Sequence, residues 1–493
     1  MKHTIRALGY GIVGGVVVLV VVFVLYLESR PDLKVWHEAE LDAEFTAQTP
    51  VRRFEDYLAL EARLFTQLDE RVFTRIEPGD QRLINRYHRG SLSDPGRWSP
   101  NWNRTFELTV DVPDAGVLLL HGMSDSPYSL RGVGERLHTA GAWVVGLRIP
   151  GHGTAPSGLV QVQWQDMAAA VGLAMRHLRE VIGDKPLYLV GYSNGGALAV
   201  HYALMSLQDP MLPPVDGLVL ISPSIGVSPV TALAVWQGRL GYLLGLHKLA
   251  WNAILPEYDP FKYGSFAVNA GDQVYRLTAE IQSQLTALGT AGDLDRFPPV
   301  LAFQSVADAT VSTPALVKGL FDRLPEGRHE LVLFDINRTA EVEHILLNDP
   351  EAVVGAMLHD RSLPFALSLL TNESEESQRL IVIHKEPGDS EVTEMALDLA
   401  WPEGLYSLSH VALPFPTDDP LYGGQDTGES PGIYLGRIEL RGERGVLQIS
   451  AADMLRLRWN PFYPYMEQRV LEFVGLAASR SNLAIDRGLA PSS

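Results

Sequence analysis

Gly191-Tyr192-Ser193-Asn194-Gly195-Gly196 constrains this chain more than any other stretch. The apolar run 187–190 before it reads as a buried strand, and Ala197-Leu198-Ala199-Val200 after it reads as helix. Glycines two residues either side of a serine, at a strand-to-helix turn, fit the G-x-S-x-G pattern. A side chain at 191 or 195 would collide with the neighbouring strand or helix. The serine is held in a strained conformation that lifts its hydroxyl clear and aims the helix N-terminus at whatever sits above it. A glycine-rich turn carrying a solvated serine is the plainer alternative.

Strands are expected around that turn at 106–110, 117–120, 142–147, 217–221, 299–304 and 330–335. Helices are expected at 130–140, 164–181 and 197–206. Short apolar strands interleaved with helices make a mostly parallel sheet covered on both faces. Ligands in such sheets sit at the carboxyl ends of the strands, where the turn lies. Between 222 and 297 the alternation stops. Helix-like stretches at 230–246, 248–255 and 274–288 carry Trp236, Tyr242, Trp251 and Phe266. They read as a helical lid lining an apolar slot, against the simpler reading of a helical subdomain core.

The chain has 493 residues, a net charge of −19 and no cysteine. The charge argues against a nucleic-acid partner. Without cysteine there is no thiol catalysis, no disulfide and no cysteine metal site. The histidines lack ligand spacing, so neither metal nor cofactor is expected. Leu8 to Leu27 is uncharged and long enough to span a bilayer, with Lys2 and Arg6 before it. No small-residue cleavage site follows, so the stretch reads as an uncleaved anchor with a cytoplasmic N-terminus and a periplasmic or otherwise extracytoplasmic body. Division of the chain follows: anchor 1–29, helical stalk or shoulder 30–104, first half of the core 105–221, lid 222–297, second half with an insertion 298–480, tail 481–493.

The rest of a site can be assembled from strand ends. Asp308 follows the strand at 299–304, after the serine in chain order, where a carboxylate that orients an imidazole belongs. His121-Gly122-Met123 ends another strand, so the amides of Met123 and Asn194 are candidates to hold an oxyanion. His121 and His152 read as braces of their turns. Five histidines follow Asp308. His329 opens a strand, His359 lies in a helical run and His384 in a strand. His344 is where a compact enzyme would place its base. His410, between a strand-like 405–410 and the rigid Pro414–Pro420 loop, is preferred, and His344 stays open. A hairpin at 434–441 and 445–449 and a closing helix at 465–474 are expected after it.

His121-Gly122-Met123, Pro150-Gly151-His152-Gly153, the 191–196 turn and Asp308-Ala309-Thr310-Val311 together resemble the α/β-hydrolase superfamily, in its monoacylglycerol lipase and serine aminopeptidase-like branch. The resemblance runs from about Val117 to Asp335. It implies Ser193 as nucleophile, Asp308 as its acid, Met123 and Asn194 as oxyanion amides, and 222–297 as lid. It departs at the base, since Asn337 and Arg338 stand near the place where the family has its histidine. The expectation is a membrane-anchored serine hydrolase cleaving acyl, lipid-like esters through an acyl-enzyme. A peptidase or thioesterase with the same triad is one alternative, and an inactive hydrolase-fold interaction protein is another.

Overall fold

A computed structural model describes residues 2–226, 247–308, 310–340, 350–436 and 456–477. Its centre is a ten-stranded sheet: β1 (Phe106–Leu108), β2 (Ala115–Leu120), β3 (Ala142–Leu147), β4 (Leu187–Tyr192), β5 (Gly217–Ile221), β8 (Val300–Ser305), β9 (Glu330–Phe334), β10 (Ala366–Ser374), β11 (Ser377–Lys385) and β12 (Thr393–Ala400). A separate two-stranded ribbon pairs β6 (Trp251–Ala253) with β7 (Phe266–Ala267). The order across the sheet is β1-β3-β2-β4-β5-β8-β9-β10-β11-β12. From β3 to β10 neighbours run parallel, and β1, β11 and β12 are antiparallel additions at the edges. The chain leaves β2 toward β3 and then returns across it to β4. That reversal is the topological switch point, where a crevice opens beyond the strand ends.

The helices used below are α1 (Lys2–Ser29), α2 (Phe54–Arg71), α3 (Arg131–Thr139), α4 (Trp164–Ile182), α5 (Asn194–Gln208), α6 (Val268–Ala291) and α7 (Tyr463–Phe473). Successive side chains of a strand point to opposite faces. Leu118 and Leu120 therefore join the core under α4, α5 and α6, while Val117 and Leu119 join the core under α3 and α7. The central strands β2, β5 and β8 are buried along their whole length, which is why they read as unbroken apolar runs. β12 is largely exposed, and Glu394 and Asp398 keep that last strand polar.

Several expectations need adjustment. Residues 248–255 are not a helix: a short 3-10 turn, His247–Ala250, leads into β6. The helical pattern at 274–288 belongs to α6, whose Leu277, Ile281 and Leu285 are buried in the core beside α5. Its apolar stripe packs against α5 and α4. The helix expected at 230–246 lies outside the described residues. Within the 30–104 segment, read as stalk or shoulder, α2 sends Phe54, Tyr57 and Leu60 into the main core. The segment 405–410 is not a strand, and 437–455, with most of the expected hairpin, lies outside the described residues. The expected closing helix is α7.

α1 is a single 28-residue helix. Among the described residues no helix is long and apolar enough to cross a membrane; the side chains at 2–9, 12, 13 and 20 are outside that description.

Candidate active site

β4 enters the turn and α5 leaves it. Ser193 adopts φ 52° and ψ −116°, in the strained region expected of a serine at this apex. Its amide donates to the carbonyl of Ile221 at 2.9 Å, and its own carbonyl accepts from the amides of Ser224 and Gly196. Those bonds clamp the strained residue from both sides. A Cβ on Gly191 would lie 2.5 Å from the carbonyl oxygen of Gly195, and one on Gly195 would lie 1.9 Å from that of Leu120. Both glycines are therefore obligatory. The second contact also presses the start of α5 against the end of β2, bringing the two loops at the switch point together. Ser193 is half-buried between buried Tyr192 and Asn194.

The turn after β2 supplies the other wall. Ile149 donates its amide to Nε2 of His121 at 3.1 Å, so Nδ1 carries the proton and donates to the carbonyl of Gly122 at 2.9 Å. Burial, with His152 second, pushes this imidazole well below its ordinary pKa. His121 is thus a neutral brace between the two loops, and His152 does the same for its own turn by donating to the carbonyl of Pro150. Among the described residues the amides of Met123 and Asn194 donate to no protein acceptor. They flank the crevice on β2's turn and on α5's first residue.

Asp308 stands just beyond β8 with its side chain wholly buried. Ser222 Oγ donates to its Oδ2 at 2.5 Å and Gln304 Nε2 at 3.1 Å, while the amides of Thr310 and Val311 donate to Oδ1. His410 Nδ1 lies 3.5 Å from Oδ1. The segment before His410 is hung over the sheet by side chains: Asn337 Nδ2 donates to the carbonyl of Leu405 and Ser305 Oγ to that of Leu408. These bonds replace the ladder a strand there would need. Asn337, near the place where the family carries its histidine, thus holds the distant segment that brings one in.

Arg456 Nη2 donates to Nδ1 of His410 at 2.7 Å. A guanidinium has no acceptor, so Nδ1 is unprotonated in this arrangement and the ring proton sits on Nε2. Burial lowers the His410 pKa to about 4; Asp308 opposes the shift, and Arg456 and Lys262 add to it.

The structure brings Ser193, Met123 and Asn194 to one crevice, and Asp308 to His410. His344 lies outside the described residues. His329 is buried before β9, His359 is exposed, and His384 contacts Ser368 and Glu386. None of these three shares a bond with Asp308. Three contributors were not singled out from sequence. Ser222 and Ser224, whose Oγ is 3.2 Å from that of Ser193, directly follow β5, a strand end that had to face the crevice. Arg456 follows no local pattern that marks it.

Residues 111–351 match the family described as serine aminopeptidase, S33. That segment is similar to the serine aminopeptidase-like α/β hydrolases. A thermostable monoacylglycerol lipase of Bacillus sp. (strain H-257) is 26% identical over 251 residues, 51% of this chain and 89% of that protein. Among solved structures, the monoacylglycerol lipase of Paleococcus ferrophilus is 20% identical, with a TM-score of 0.36 over 47% of this chain and 88% of that one. A soluble variant of monoglyceride lipase from Saccharomyces cerevisiae is 16% identical, with a TM-score of 0.34 over 47% and 82%. Residues 352–493 and the first 110 residues extend beyond the matched segment.

Proposed function

We propose that the protein is a membrane-anchored serine esterase acting on acyl, lipid-like esters. The observation that carries this reading is the strained, half-buried Ser193 at the switch point, beside two uncommitted amides. In the reaction, Nε2 of His410 accepts the Ser193 hydroxyl proton as Oγ attacks the ester carbonyl. Asp308 accepts the Nδ1–H bond and steadies the imidazolium. The amides of Met123 and Asn194 hold the oxyanion. The imidazolium returns its proton to the leaving alcohol, and water then cleaves the acyl-enzyme by the same steps in reverse. Catalysis needs Arg456 to leave Nδ1, so that this nitrogen can carry the proton.

Lipid-like esters are favoured by the similarity to the Bacillus monoacylglycerol lipase and by the apolar run Leu8 to Leu27 at the chain's start. At 1.5 Å per residue about twenty residues of helix reach ~30 Å, the thickness of a bilayer's hydrocarbon. Lys2 and Arg6 place the N-terminus in the cytoplasm and the body on the far side. The 222–297 segment is read as the lid, and within it residues 255–264 border the crevice.

Labelling with a fluorophosphonate tests the reading. Wild type and His344→Ala are expected to label, while Ser193→Ala and His410→Ala lose labelling and about 10³-fold or more of ester hydrolysis. Labelling that survives Ser193→Ala would sink the nucleophile. Loss with His344→Ala and retention with His410→Ala would reassign the base. A wild type that neither labels nor hydrolyses any ester would leave an inactive hydrolase fold.

A further inference from the structure

A cavity of about 190 Å³ opens between the turn after β2, the end of β4 and the His410 segment. Asp125, Tyr192 and Val411 line it on those three sides. It is smaller than the few hundred Å³ that hold a whole ligand, and suits a compact group carried on a larger one. Its wall is cationic, in a chain whose net charge is −19: Lys262, Arg456 and Arg458 face Asp125 and Asp259.

The two acids are already committed. Lys262 Nζ contacts Asp125 Oδ1 at 2.5 Å. Asp259 accepts from the Tyr422 hydroxyl at 2.7 and 2.8 Å and from the amides of Phe261 and Lys262. Arg458 reaches it only at 3.5 Å and spends another donor on the Tyr258 hydroxyl. Among the described residues Arg456 has no carboxylate in ion-pair contact, and its hydrogen bond goes to a neutral ring nitrogen. Each guanidinium carries five donors in a fork shaped for two anionic oxygens. Sheltered cations with donors to spare favour an incoming anion, because one that arrives satisfies charge and hydrogen bonds together.

Resting on the serine-hydrolase reading above, we propose that Lys262, Arg456 and Arg458 form a subsite for an anionic group, a carboxylate or a phosphate, borne by the substrate close to its scissile ester. Arg456 is the positioning residue that couples occupancy of this subsite to the base. When an anion takes the Arg456 donors, Nδ1 of His410 is released. The ring proton moves from Nε2 to Nδ1, with no net gain or loss, and Nδ1–H turns to Asp308 Oδ1. Nε2 is then free to accept from Ser193. The substrate completes the catalytic tautomer.

Two measurements on the full chain test this. Calorimetric titration with inorganic phosphate, with succinate and with neutral glycerol should show binding of at least one anion and none of glycerol. That binding should weaken about tenfold or more in Arg458→Gln. Which anion binds decides between phosphate and carboxylate. In parallel, the 4-nitrophenyl monoester of succinic acid is compared with the neutral pentanoate. Wild type should favour the succinyl ester at least tenfold in kcat/KM. Arg458→Gln should lose that preference through KM and Arg456→Gln through kcat, a split that a merely structural role would not produce. Hydrolysis without preference, or anion binding unchanged in Arg458→Gln, overturns the subsite alone. Anion binding with neither ester cleaved overturns the hydrolase reading and leaves the subsite standing.

Discussion

His410, the proposed base, has its charged form discouraged from every direction but one. It is buried, Arg456 touches Nδ1, Lys262 stands nearby, and only the Asp308 carboxylate favours the imidazolium. Its pKa falls from 6.5 to about 4, so the neutral form persists further into acid than for a free histidine. The acid limb of kcat/KM on a neutral ester is therefore expected well below pH 6.5, with activity lost as pH falls through that limb. Arg456→Gln removes a cation that opposes protonation, so the limb should move upward. A limb that stays fixed, or moves down, would show that Arg456 does not act on His410. At the same scale the Ser193 turn was legible in full, because steric exclusion at Gly191 and Gly195 leaves one solution. His410 could only be preferred, since what fixes it (Asn337, Ser305 and Arg456) comes from segments far away in sequence.

At the scale of elements, periodicity worked where each element has one apolar side and failed where tertiary partners decide. The central strands were readable because burial on both faces makes them continuous runs. β10 and β12 escaped notice and β11 was read only around His384, burial being uneven and pairing set by the edge left open at β9. α2 shows the opposite case: its helical stripe was evident, its docking site was not. That docking turns on Arg148, whose side chain is 1% exposed and meets Glu61 at 3.1 Å and Glu44 at 2.8 Å. Tyr57 also donates its hydroxyl to the carbonyl of Arg148. Removing one acid leaves a buried charge short of its partner, which costs more than the pair contributes when whole. Glu61→Ala is expected to destabilise the fold by about 3–5 kcal/mol in urea unfolding. It also abandons the Thr105 amide and hydroxyl that Glu61 accepts from. A change under about 1 kcal/mol would mean that α2 is held by its apolar face alone.

For the whole molecule, one end of the chain stands apart from the rest. Among the described residues no side chain of α1 belongs to the buried clusters, and Val16, Val17, Val18, Leu19, Val21, Val22 and Leu25 are each at least half exposed. Bonding to the body starts at Arg30, whose guanidinium donates to the carbonyls of Lys248 and Trp251 while Lys248 donates back to the carbonyl of Arg30. That exposed apolar sheath is the observation on which the proposed anchor rests. Docking at Arg30 would then hold the 247–267 segment, and the crevice behind it, near the lipid surface from which an acyl ester would come. The expected outcome is that the full chain sediments with membranes, resists carbonate extraction and is released by detergent. A chain starting at Arg30 should remain in the soluble fraction and keep its activity on short water-soluble esters, because no described side chain of α1 joins the core. Its activity on esters embedded in vesicles should fall by about tenfold or more, since partitioning no longer concentrates the enzyme at their surface. A full chain that stays soluble without detergent would remove the anchor; equal rates on vesicles with and without residues 1–29 would remove its link to substrate supply.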